Sequence, residues 1–159
     1  MPDPQAQVLD LIFGRWRSQI LYTGVKLGIF DALNKAPKNA VAIANELGLD
    51  PQHTYRLMRA LGSLDLLAED TEHTFSLTGT GERLRSDHPH TLRGITLLEE
   101  GPEHYAIWKY LPGMIRDGKQ NAFIREFGRM AFDHADNDAD YAEVFDGAMS
   151  SYSRTQASL

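Results

Sequence analysis

The sequence predicts a mainly α fold: a winged helix-turn-helix with a small β wing, extended by additional N- and C-terminal helices. Three observations carry this. Two short apolar-periodic runs meet at a tight Gly48-Leu49-Asp50-Pro51 turn, two β-type runs follow within residues 66–77, and helical spacing dominates nearly everything else. The first helix of the motif carries Val41, Ile43, Ala44 and Leu47 on its apolar side and stops at Gly48, because glycine accepts the positive φ of a helix C-terminus. Asp50 caps the second helix, and Pro51 sits at its first position, where a missing N–H costs nothing. Tyr55, Met58, Leu61 and Leu64 then recur at helical spacing and bury one face.

Ahead of the motif, residues 5–27 form a long amphipathic segment with Val8, Leu11, Ile12, Trp16, Ile20 and Leu21 on one broad face. Gly14, Gly24 and Gly28 interrupt it and mark close helix contacts or local breaks. A short helix over 29–35 leads through Pro37 into the motif. The wing strands are expected at 66–68 and 74–77, joined by a polar turn, and Thr78 caps a short helix ending at Leu84. Four further helical patterns follow over 92–99, 103–116, 122–127 and 139–153, the last capped by Asn137 or Asp138.

A winged helix invites a DNA-reading role, with His53, Arg56 and Arg59 as the candidate base or phosphate contacts. Electrostatics argue against it. The wing segment 62–75 holds Asp65, Glu69, Asp70 and Glu72 with no lysine or arginine, and the chain as a whole has 22 acidic against 16 basic residues, a net charge of −6. An acidic winged-helix regulator or protein-interaction module nevertheless stands as the alternative. The composition, 42% hydrophobic and 24% charged over 159 residues, is that of an ordinary globular domain. The absence of cysteine excludes disulfides, thiol catalysis and cysteine-held metals. No leader or membrane-length apolar run is visible, so a cytoplasmic protein is expected.

Catalytic chemistry is hard to find. His88 and His90 flank a proline with no completing ligand set, and no metal site is expected. Asp133, His134, Asp136, Asp138 and Asp140 lack the glycine and the terminal glutamate of a calcium loop, so capping and solvation account for them. GxSxG, the phosphate-loop lysine motif and GxGxxG are all missing.

From Trp108 onward one pattern accumulates: Trp108 with Leu111, Gly118, Ala122-Phe123, Phe127-Gly128, Ala131-Phe132, and Phe145 four residues before Met149. Upstream, Gly28-Ile29-Phe30-Asp31, Ile43-Ala44, the run from Arg56 to Leu61, and Leu77-Thr78 extend it. Together they resemble the N-terminal dimerisation domain of SAM-dependent O-methyltransferases of the caffeate/hydroxyindole type, across essentially the whole chain. The resemblance implies an intertwined homodimer that closes one side of an acceptor pocket for an aromatic or polyketide-like molecule. It implies three regions: dimerisation helices over 1–36, the winged helix over 37–86, and a substrate-capping region over 87–159. The family's catalytic residues and S-adenosyl-L-methionine (SAM) contacts belong to a Rossmann-like domain with no counterpart here. The 159 residues are therefore expected to hold no cofactor and to be inactive alone, with the donor bound only by the full-length enzyme.

By the same resemblance, Tyr141, Phe145 and Met149 line the acceptor pocket, although their i, i+4, i+8 spacing also suits plain core packing. Tyr105, Trp108 and Leu111 share one stripe, and Ala131-Phe132 occupies the place where the family narrows the pocket. His104, one turn before Trp108, is either a polar contact for a phenolic acceptor or a surface histidine. Ser153 falls where the family touches the cofactor's edge. Trp16, Ile20 and Tyr22 are the dimer-interface candidates, burial within their own subunit being the other possibility.

Overall fold

The computed structural model describes residues 3–156, with side chains as far as Ser151. The chain divides into two compact units, Met1–Thr91 and Leu92–Leu159. In the first, Asp3 caps α1 (Pro4–Ile12) by accepting the Gln5 amide at 3.2 Å. The amphipathic segment over 5–27 breaks at Phe13, beside Gly14, where its glycines were expected to mark a local break or a close contact, and α2 (Gly14–Lys26) follows. Arg17 bridges the break to the Asp10 carboxylate. Gly24 is the close-contact glycine: a Cβ there would lie 2.9 Å from Leu61 Cδ1 and 3.1 Å from Phe30 Cε2. After Gly28, α3 (Ile29–Ala32) is shorter than the expected helix through residue 35.

The helix-turn-helix follows as α4 (Ala40–Leu47) and α5 (Pro51–Ser63). Gly48 closes α4 at φ +69°, Asn39 caps it through the Ala42 amide at 2.9 Å, and Asp50 accepts the His53 amide at 2.8 Å. Val41, expected in the buried face, is exposed instead. In so short a helix the inward positions are Ala40, Ile43, Ala44 and Leu47, and residue 41 lies about 100° off that face.

The wing strands are β2 (Leu67–Glu69) and β3 (Thr74–Leu77), one residue later than expected for the first. A two-residue strand not anticipated from sequence, β1 (Lys38–Asn39), pairs antiparallel with the other edge of β3 and completes the order β1-β3-β2. Thr78 Oγ1 accepts the Gly81 amide at 3.0 Å and starts the 3-10 turn Gly81–Leu84. The core is Phe30, Ile29, Ile43, Met58, Leu61 and Phe75, each essentially without solvent contact.

The second unit is all helical: α6 (Arg93–Glu99), α7 (Pro102–Ile107), a 3-10 turn Trp108–Tyr110, α8 (Leu111–Asp117), α9 (Ala122–Phe127), α10 (Ala131–Ala135) and α11 (Ala139–Gln156). The single helix expected over 103–116 is thus three pieces. Pro112 has no amide to continue the ladder, so the chain tightens into the 3-10 turn and restarts with Pro112 in the first turn of α8. α10, five residues long, shows no period that sequence reading detects. Of the two cap candidates for α11, Asp138 makes the bond, accepting the Tyr141 amide at 3.0 Å. Gly94 lets α6 approach α11 closely, since a Cβ there would sit 2.9 Å from the Gly147 carbonyl oxygen. No helix among the described residues is long and apolar enough to cross a membrane.

Candidate functional site

Two surfaces stand out, one in each unit. In the first unit α1 buries none of its residues. Val8, Leu9, Leu11, Ile12, Phe13 and Trp16 all face solvent, Leu11 at 80% exposure and Trp16 at 58%. The Phe13 and Trp16 rings lie 4.5 Å apart and make one continuous apolar ridge. Further along α2, Ile20 and Tyr22 are half-buried. An exposed apolar stripe of this extent marks an interaction surface.

In the second unit a cleft of about 590 Å³ opens between the 3-10 turn, α8, α9 and the start of α10. Its walls are Ile107, Trp108, Leu111, Met114, Phe123 and Met130, with Ala131 at the base of α10. Only Gln120 and Asn121 bring polar side chains, and no residue lining it carries a formal charge. Arg125 stays outside, with Nη2 2.5 Å from Asp117 Oδ2 and Nε donating to Asn121 Oδ1 at 2.5 Å.

Behind Phe123 lies an aromatic cluster that joins α7, α9, α10 and α11. Phe123 packs against His104, Phe127, His134 and Tyr141 at ring separations between 5.2 and 6.1 Å. His104 is held from both sides: Nε2 is 3.0 Å from Tyr141 Oη, and Nδ1 is 3.4 Å from Glu99 Oε2. A proton on Nδ1 facing Glu99 leaves Nε2 to accept the Tyr141 hydroxyl. Burial first, then the negative charges of Glu103 and Glu99, push the Tyr141 phenol up to about 12. His134 stacks on Phe127 at 4.5 Å, and its buried Nδ1 has no hydrogen-bond partner among the described residues.

The residues singled out from sequence divide between these places. Trp108, Leu111 and Ala131 line the cleft. Tyr105 is exposed on α7. Phe132 is 71% exposed and meets Phe145 edge-on at 5.4 Å. Tyr141 is 3% exposed and belongs to the aromatic cluster, Phe145 is half-buried beside it, and Met149 faces solvent. Ser153 lies in the part of α11 whose side chains fall outside the described residues. His104 is no surface histidine, its side chain being 17% exposed. Sequence reading overlooked Met114, Phe123, Met130 and Asn121 in the cleft; for Asn121 the signal was its spacing of four from Arg125. No group of three metal-ligating side chains occurs among the described residues. Such an arrangement can bind and orient a flat molecule; it offers no activated nucleophile.

The family model for the O-methyltransferase dimerisation domain matches residues 9–87. Phenazine O-methyltransferase of Lysobacter antibioticus is 29% identical over 150 residues, covering 94% of this chain and 43% of that protein. O-demethylpuromycin-O-methyltransferase of Streptomyces alboniger is 31% identical over 153 residues, covering 96% of this chain and 40% of its own length. The chain thus spans about two-fifths of the length of these curated relatives. Among solved structures, LaPhzM aligns with a TM-score of 0.88 at 29% identity, over 94% of this chain and 45% of that one. Human N-acetylserotonin methyltransferase in complex with SAM shares the fold at a TM-score of 0.85 and 22% identity, over 96% and 46%.

Proposed function

The chain belongs to the O-methyltransferase dimerisation-domain family, and from that premise we propose that it supplies the homodimer interface and the acceptor-side wall of a SAM-dependent O-methyltransferase. The acceptor is an aromatic or polyketide-like small molecule with a free hydroxyl. The observation that carries this reading is the ridge of α1 and α2, six large apolar side chains that find no burial in their own unit. Trp16 sits on that ridge, Ile20 continues it one turn further along α2, and Tyr22, on another face of that helix, is the third interface residue of this reading.

In this reading SAM, held by the complete enzyme, would supply the methyl group to the acceptor's hydroxyl oxygen, and the residues of this chain would hold that acceptor in place. In this reading the 159 residues alone neither hold SAM nor transfer a methyl group, which an assay of the isolated chain with methyl-labelled SAM tests. Their contribution is orientation and exclusion of water. Trp108, Leu111 and Ala131 would provide that wall from the cleft, and Tyr105, Phe132, Phe145 and Met149 from the neighbouring faces of α7, α10 and α11, with the buried Tyr141 packing behind Phe145. Residues 1–36 act as dimerisation helices, 37–86 as the winged scaffold and 87–159 as the cap. A cytoplasmic location fits a SAM-dependent enzyme.

Light scattering across a wide concentration range tests the interface. The chain is expected at twice 17.9 kDa. The double variant Leu11→Glu, Trp16→Glu is expected as a folded monomer with the parent's far-ultraviolet circular dichroism. A parent chain that remains monomeric at every concentration overturns the interface.

A further inference from the structure

We infer that the cleft of the Leu92–Leu159 unit takes an uncharged, flat heteroaromatic ring system, and that Asn121 reads a carbonyl oxygen or ring nitrogen on it by donating an N–H. The inference rests on the acceptor-side reading and gives that wall a chemical preference. The walls supply two aromatic faces, Trp108 and Phe123, and flexible apolar contacts from Met114 and Met130. About 590 Å³ is room for two or three fused rings. No lining residue is cationic, so a carboxylate entering the cleft would lose its hydration without gaining a counter-charge.

The polar detail is directional. An asparagine amide offers both an acceptor and a donor, and here the acceptor oxygen is turned toward Arg125, whose Nε donates to Asn121 Oδ1. Arg125 is itself fixed by Asp117, and the Asn121 side chain makes no capping bond to α9. The edge of Asn121 left for a ligand is therefore Nδ2, which has no partner among the described residues. A donor among apolar walls discriminates strongly, because a ligand without a matching lone pair leaves that N–H unpaired.

The test is a titration of the ¹⁵N-labelled chain at about pH 7.5, followed by the Asn121 side-chain amide and Trp108 indole signals. The probes are quinoline, naphthalene and 2-naphthoate, which share a shape and differ in lone pair and charge. Quinoline is expected to bind about tenfold tighter than naphthalene and to move the Asn121 amide signals, with 2-naphthoate weakest. Asn121→Leu is expected to erase the difference between quinoline and naphthalene, weakening the first and, by removing the unpaired N–H, strengthening the second. Equal affinities for quinoline and naphthalene, preferred binding of 2-naphthoate, or no response at Trp108 overturns the inference. So does binding that appears only on dilution to monomer, which assigns the cleft to a second copy of the chain and leaves the dimer reading standing. Discrimination retained by a chain that never dimerises overturns the interface alone.

Discussion

Replacing Tyr141 by phenylalanine removes one hydroxyl and, with it, a pH dependence whose sign and size follow from the site. The ring is 3% exposed and its oxygen lies 3.0 Å from His104 Nε2. At neutral pH the variant strands that nitrogen in a half-buried place, a loss of about 1–2 kcal/mol. Burial, then Glu103 and Glu99, hold the native phenol up to about 12, against about 10 in the unfolded chain. The native state grips the proton more tightly. Its stabilising contribution is therefore complete below about pH 10 and disappears as pH rises through about 12. At about pH 11 the unfolded phenol is roughly nine-tenths ionised and the native one roughly one-tenth, which removes about 1.4 kcal/mol from the parent and nothing from the variant. Urea unfolding at pH 7, 9 and 11 measures both chains, and ionisation of the other tyrosines and the lysines cancels in the difference. The gap between parent and Tyr141→Phe should hold from pH 7 to 9 and narrow by about 1.4 kcal/mol at pH 11. A gap that stays constant across all three values refutes the buried, carboxylate-flanked phenol.

Gly24→Ala places a methyl group about 3 Å from the Leu61 and Phe30 side chains of α5 and α3; thermal unfolding should show a loss of about 1–3 kcal/mol, and an unchanged midpoint would mean the helices yield. Titration with mixed-sequence duplex DNA should show no salt-dependent binding down to about 50 mM salt; a steep fall of affinity with rising salt would restore the regulator reading.

The helix-turn-helix was legible in sequence because its boundaries are chemical. Gly48 must tolerate a positive φ, Asp50 must accept an amide, and Pro51 must stand where no amide is needed; each does so here. β1 was not legible because two residues have no period, and Lys38 and Asn39 become a strand only by pairing with Phe75 and Thr74 on β3. The site shows the same division. Periodicity places Tyr141, Phe145 and Met149 on one face of α11, yet their exposure rises from a sealed end to an open one. Spacing reports a face; depth along it depends on what the other helices bring, here His104 and Phe123 packing over Tyr141. Likewise Asn121 and Arg125 stand four apart, a spacing that sequence reading passed over because only the cleft wall gives their bond a consequence.

The wing explains how a fold built for reading a groove is turned to another use. Glu69 on β2 accepts from Tyr55 Oη at 2.9 Å, lies 2.7 Å from His73 Nδ1 and draws Arg59 Nε to 3.4 Å. His73 first, then Tyr55 and Arg59, hold its carboxyl below the usual glutamate range, so it stays ionised through mildly acidic conditions. One carboxylate thereby engages one of the two arginines that α5 would present to a phosphate, and Asp50 sits 2.7 Å from the His53 imidazole. Arg56 remains, and the wing segment adds Asp65, Asp70 and Glu72 with no lysine or arginine among residues 62–75. The same contacts tie the wing to α5 and stiffen the scaffold. Charges that would repel DNA thus serve as internal fasteners, and the surface left for a partner is the apolar ridge of α1 and α2.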